Sequence, residues 1–229
     1  MIPIKDTVRA RSFPIVNWLI IIANFLVFFY ELSLSHPALR HFVATYGMVP
    51  ARLWHDPAAA WPTIFTSMFI HGGWFHILSN MWVLYIFGDN VEDRMGSGKY
   101  LIFYLLSGVA AALLQAYVLP NSHIPTVGAS GAIAGVLGAY LVFFPNSRVI
   151  TLVFFFVFVT FVEIPSVLFL GFWFFTQLYS GWLALLSPTA MGGVAWWAHV
   201  GGFVFGMLFA KPFEGGHYRR PFPDEFFPW

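Results

Sequence analysis

Six stretches of this chain, at about 14–34, 62–87, 100–119, 129–145, 165–186 and 193–210, are apolar over a length set by the roughly 20 residues a helix needs to cross a bilayer. The fourth is the shortest. Little else is left with which to build a water-facing surface: 9% of the 229 residues are charged, against roughly 25% in a soluble domain, and mean hydropathy is +0.75. The chain therefore reads as an all-α integral membrane protein.

Basic residues set its orientation. With the first residues inside, Lys5, Arg9, Arg11, Arg94, Lys99, Arg148, Lys211, Arg219 and Arg220 fall on the cytoplasmic side, and only Arg40 and Arg52 fall outside. Both termini are then cytoplasmic. The first apolar run, Phe13 to Leu34, exceeds the core of a signal peptide, and no small-residue cleavage site closes it, so it is read as a retained span. The stretch 148–163 (RVITLVFFFVFVTFVE) could extend the fourth helix, form an interfacial hairpin or cross as a seventh span. A seventh span would put the C-terminal basic residues outside, which favours a membrane-embedded or interfacial connection. Residues 35–61, amphipathic and aromatic, read as an external loop lying in the interface. The expected organisation is a tail at 1–13, a membrane domain at 14–211 and a second tail at 212–229, in a bacterial inner (plasma) membrane. A net charge of +1 implies no nucleic-acid partner, and zero cysteines exclude a thiol nucleophile, a disulfide framework and Cys-ligated metal.

Inside the apolar segments stand a few polar groups that cost free energy if buried unpaired. Ser130 opens one segment in Gly128-Ala129-Ser130-Gly131, and His199 lies in the last. At about 1.5 Å per residue from the cytoplasmic ends, His199 lies roughly 18 Å up, Ser130 roughly 22 Å, His76 roughly 19 Å and Asn80 roughly 13 Å. The four share a layer on three helices. Gly131 and Gly135 in one helix, and Gly202 and Gly206 in the other, are small-xxx-small pairs that let membrane helices close to backbone contact. The uncharged loop before Ser130 would let water reach that depth, and the first-turn N–H groups beside it suit an oxyanion.

Each residue also has an ordinary reading. Membrane serines usually pack or bond their own helix, and an intramembrane histidine can relay protons or ligate heme. His76 and Asn80, at i and i+4, could bond each other. His71 reads as structural, Trp196 and Trp197 as packing, and the remaining histidines sit in loops or the tail. Other hydrolytic chemistries lack their residues: no H-E-x-x-H motif follows His76, and Asp89 and Glu163 lie at segment ends.

Together, Gly128-Ala129-Ser130-Gly131, Ala198-His199-Val200-Gly201-Gly202 and His76-x-x-x-Asn80 resemble the rhomboid intramembrane serine proteases, in their basic six-helix form. The resemblance implies a serine endopeptidase acting on single-span transmembrane substrates. Ser130 would be the nucleophile and His199 the general base and acid, in a dyad without a carboxylate. The Ser130 N–H, His76 and Asn80 would form the oxyanion hole, Gly206 would admit the last helix, and no metal or cofactor is expected. One departure is Ala134, where relatives often carry an aromatic that packs on the histidine; either Trp196 or Phe203 orients His199 instead, or the ring is held more loosely. The competing classes are a relative that binds transmembrane helices without cutting them, and a small channel or transporter.

Overall fold

The computed structural model describes residues 2–155, 158–186 and 193–215. The end of the C-terminal tail, with His217, Arg219 and Arg220, lies outside the described residues. A strand β1 (Ile2–Asp6) leads into α1 (Ile15–Ser33). Four short helices follow: α2 (His36–Tyr46), α3 (Pro50–His55), α4 (Pro57–Ala60) and α5 (Pro62–Thr66), closed by a 3-10 turn at Ser67–Phe69. Then come α6 (Trp74–Met95), α7 (Ser97–Val118) and α8 (Ser130–Phe143). A hairpin, β2 (Arg148–Phe155) and β3 (Phe158–Pro165), precedes α9 (Ser166–Leu186) and α10 (Trp196–Phe213).

Six of these helices are long, and they occupy the six apolar segments. Three of them, α1, α7 and α9, are long and apolar enough to cross a membrane by length and composition alone. The second segment needs its boundary moved. Residues 62–73 form α5, the 3-10 turn and an extended link, and the long helix begins only at Trp74. Gly73 there has φ 151°, a left-handed-side conformation that L side chains avoid, and it breaks the chain before α6. The same helix runs on past Asp89 to Met95. Gly96, at φ 82°, then turns the chain into α7.

Helix α8 is the axis. Eleven of its 14 residues are buried, small side chains alternating with Ile133, Val136 and Leu137, so neighbours close on it from every side. By contrast α9 buries only Ser166, Leu170, Gln177 and Gly181, and turns Phe172, Phe175, Tyr179 and Trp182 outward. The N-terminus of α1 is held by α6: the Glu92 carboxylate accepts Val16 N–H at 3.0 Å, Asn17 N–H at 2.7 Å and the Ser97 hydroxyl at 2.6 Å. An anion at that helix end meets donors that have no partner within the helix.

The expectation of an all-α chain is corrected by a three-stranded antiparallel sheet of order β1-β2-β3. Residues 148–163 form the hairpin of the three alternatives, pairing from Arg148↔Pro165 to Phe155↔Phe158. Their β-branched and aromatic side chains suit a pleated strand better than a helix. The first residues, expected as a tail, supply the third strand, with Ile2 opposite Leu152 and Asp6 opposite Val149. Pro3, which has no N–H to give, sits on this edge strand beside an irregularity between Pro3 and Lys5. Side chains of α6 and α8 hold β1: Trp82 Nε1 donates to the Pro3 carbonyl at 2.7 Å, Asn90 Nδ2 to Asp6 at 2.9 Å, and the Tyr140 hydroxyl to Asp6 at 2.5 Å.

Candidate active site

Ser130 is the first residue of α8, and its position is set from both sides. Before it the chain turns through Gly128 at φ 121°, a conformation that favours glycine. The space also demands it, because a Cβ there would stand 2.7 Å from His76 Nε2. The loop leading in is pinned to the stretch between α1 and α6: Met48 and Thr126 exchange backbone bonds of 3.1 and 2.7 Å, Gly128 N–H donates to the Ser67 carbonyl at 2.8 Å, and Ala51 N–H to that of Ser122 at 3.0 Å. Arg52 in turn holds the α2 C-terminus through the carbonyls of Ala44 and Gly47 at 2.8 and 2.6 Å. The amphipathic stretch of short helices thus braces the backbone that presents Ser130.

His199 lies in the first turn of α10. Helix α10 reaches α8 because glycines line the crossing. A Cβ on Gly202 would collide with the Gly131 carbonyl oxygen, and one on Gly206 with that of Gly135. Gly131 and Gly135 also face α7, where a Cβ would overlap Ala111 and Ser107. At this separation Ser130 Oγ and His199 Nε2 stand 2.8 Å apart, a hydrogen bond between residues 69 apart in sequence. The backbone of Ala198 is fixed from α7, its N–H donating to Gln115 Oε1 at 3.1 Å.

The other imidazole nitrogen has a partner the sequence reading did not name. His199 Nδ1 lies 2.8 Å from Gln177 Oε1, on α9. The expected aromatic support is also redistributed. Trp173, four residues before Gln177, lies 5.9 Å from the imidazole at a tilt of 35°, Trp196 meets it edge-on at 6.2 Å, and Phe203 stacks on Phe174 and meets Trp173 at a tilt of 44°. A signal for Gln177 existed: among the described residues it is the one amide side chain of the apolar α9.

His76 and Asn80 project from one face of α6 toward the same place, yet they are not bonded to each other. His76 Nδ1 accepts from Gly72 N–H at 3.3 Å, and its Nε2 faces Gly128. The Asn80 amide nitrogen is buried without a hydrogen-bond partner among the described residues, and it points past the Gly128 position. His76, Asn80, Ser130 and His199 line one cleft of about 870 Å³, together with Gln115, the 118–127 loop and Val194–Ala195. His71 is held as a backbone element, its N–H bonding Glu31 of α1 at 3.1 Å.

The arrangement is a hydroxyl paired to an imidazole at a helix N-terminus, with buried donors beside it and an open cleft above. The comparisons with known proteins give the family. The Rhomboid domain family matches residues 58–213. The chain is 36% identical over 113 residues to Rhomboid-like protein 11, chloroplastic, of Arabidopsis thaliana, covering 49% of this chain and 40% of that protein. It is 27% identical over 166 residues to Rhomboid protein 1, mitochondrial, of Saccharomyces cerevisiae, covering 69% and 44%. Over 81 residues it is 37% identical to Rhomboid protease GluP of Bacillus subtilis, covering 35% and 15%. The chain thus spans less than half the length of these curated relatives. With the family match covering well over half of its residues, this apolar, mostly helical chain belongs to the rhomboid family.

Proposed function

We propose that this protein is an intramembrane serine endopeptidase that cleaves transmembrane helices of membrane-protein substrates. The observation that carries the reading is the 2.8 Å bond between Ser130 Oγ and His199 Nε2 at the mouth of α8. In the proposed reaction the substrate carbonyl enters the cleft above Ser130. His199 Nε2 takes the hydroxyl proton as Oγ attacks the carbonyl carbon. The oxyanion is met by the Ser130 N–H, His76 and Asn80, and the imidazolium then returns the proton to the leaving amine. Water entering the same cleft loses a proton to His199 and attacks the acyl carbon, and the imidazolium returns that proton to Ser130 Oγ as the acyl C–O bond breaks and the carboxylic acid product leaves. The fold supports a membrane setting with six spans and the basic residues of 5–11, 94–99, 148 and 211 on the cytoplasmic side.

The test is labelling by a fluorophosphonate or isocoumarin probe, together with cleavage of a single-span reporter in liposomes. Wild type is expected to label and cleave, and Ser130→Ala and His199→Ala to do neither, because the two residues act as one unit. Cleavage surviving either substitution overturns the reading. Binding of the reporter with no labelling and no cleavage would instead mark a protein that holds transmembrane helices without cutting them.

A further inference from the structure

We infer that Gln177 is a positioning residue for His199, so that the site is a linked serine–histidine–glutamine unit rather than a free-standing pair. The inference rests on the proposed Ser130–His199 chemistry and adds to it the group that decides which imidazole nitrogen acts as base. Its direction is forced by the backbone. Gln177 Nε2 lies 3.2 Å from the Trp173 carbonyl oxygen and 3.0 Å from Thr176 Oγ1. A carbonyl can only accept, and the Thr176 hydroxyl gives its own proton to that same carbonyl at 2.6 Å. Both neighbours therefore require the amide NH₂ to face them. The amide oxygen must then face His199 Nδ1 at 2.8 Å, and because that oxygen can only accept, Nδ1 must carry the proton. What remains on Nε2 is a lone pair aimed at the Ser130 hydroxyl.

Packing holds the donor of this information in place. Gln177 is 6% exposed, on the narrow buried stripe of α9 with Leu170 and Gly181. Gly181, one turn further on, lets α9 close on α10, since a Cβ there would press on the Trp197 ring at 3.2 Å. An amide is suited to a water-poor position where a carboxylate would be costly to bury.

Two measurements on the full chain in bicelles test the assignment. The first is the ¹⁵N spectrum of histidine-labelled protein, with the His199 signals identified by their loss in His199→Ala. Wild type is expected to carry the His199 proton on Nδ1, and Gln177→Met to show a mixture of tautomers. A wild-type proton on Nε2, or an unchanged spectrum in Gln177→Met, overturns the inference, and this readout needs no turnover. The second is reporter cleavage. Gln177→Met, similar in size but without the acceptor, is expected to lower kcat about tenfold to a hundredfold with KM changed less than about threefold. Gln177→Glu, which as the neutral acid can make both bonds, is expected to recover to within about threefold of wild type. Wild-type kcat in Gln177→Met, or no recovery in Gln177→Glu, sinks the positioning role while leaving the protease reading intact. An unreactive wild type with the expected tautomer would sink the protease reading alone.

Discussion

Asn80 keeps a donor buried with no hydrogen-bond partner among the described residues, and that has two measurable consequences. An unpaired buried amide costs free energy, so the fold gains nothing from it. In the proposed reaction the same amide meets the oxyanion, where losing one donor typically lowers turnover by roughly 10²–10³. Asn80→Ala is therefore expected to leave the unfolding midpoint unlowered and to cut kcat by about that factor, with residual cleavage still measurable. A fall in thermal stability equal to the fall in activity would show that Asn80 is structural. Gly128→Ala should act on the same place from the other side, since its methyl would enter the His76 imidazole. Activity should drop at least as far as in Asn80→Ala. At this scale much of the site was legible. A lone serine, a lone histidine and the His76/Asn80 pair stand out because apolar surroundings make each polar group expensive. Gln177 was equally anomalous, but its meaning depends on α9 lying across the imidazole, and no spacing within the sequence brings residues 22 apart on different helices together.

Among the elements, β1 shows why a short polar N-terminal segment is hard to read. Ile2–Asp6 has too few residues to declare a strand, and its partner lies some 145 residues further on. What commits it is Asp6. Its carboxyl is enclosed between Tyr140 and Asn90, and burial pushes its pKa from 3.8 up to about 8, against the opposing effect of the Tyr140 hydrogen bond and with a further push from the Asp89 charge. A carboxyl whose folded pKa is raised binds its proton more tightly when docked. The stability it contributes is fully present below its unfolded value and is lost as pH rises through about 8. Backbone amide protection of 2–6, followed by hydrogen exchange, is therefore expected to weaken between about pH 4 and pH 8, and Asp6→Asn to remove that dependence. Protection in the wild type that rises with pH would contradict the assignment. The glycine crossing of α8 and α10 is an element-scale contact of another kind. Gly202→Val would drive a side chain into the Gly131 carbonyl, and backbone cannot yield as a side chain can. Loss of folded, monodisperse protein is expected, by at least the 1–3 kcal/mol or so usual for overpacking.

Across the whole molecule, two ends can be told apart by what holds them. At one end Ser12 bonds Asp93, Thr7 bonds Arg148, and Arg94 pairs with Glu214 and accepts from Gly215 N–H. At the other, the short helices between α1 and α6 bond the loop before Ser130. Among the described residues, Arg94 and Arg148 stand at the first end and Arg52 at the second. Hydropathy made the six long segments legible because a bilayer requires about 20 apolar residues per helix. It could not separate α6 from the short helices before it, since Ile64, Phe65, Met68, Phe69 and Ile70 carry the apolar run up to the break at Gly73. A chain with no cysteine offers a direct check, because each cysteine introduced is a unique label. Arg9→Cys and Lys99→Cys, both exposed at the first end, are expected to react with an impermeant maleimide only in inside-out vesicles. Arg40→Cys and His123→Cys are expected to react only in right-side-out ones. None of the four touches the cleft residues Ser130, His199, His76 or Asn80, so reporter cleavage should persist and certify that each labelled chain is folded. Reaction of Arg9→Cys and Arg40→Cys from the same side would break the six-span topology, because an odd number of crossings must separate them.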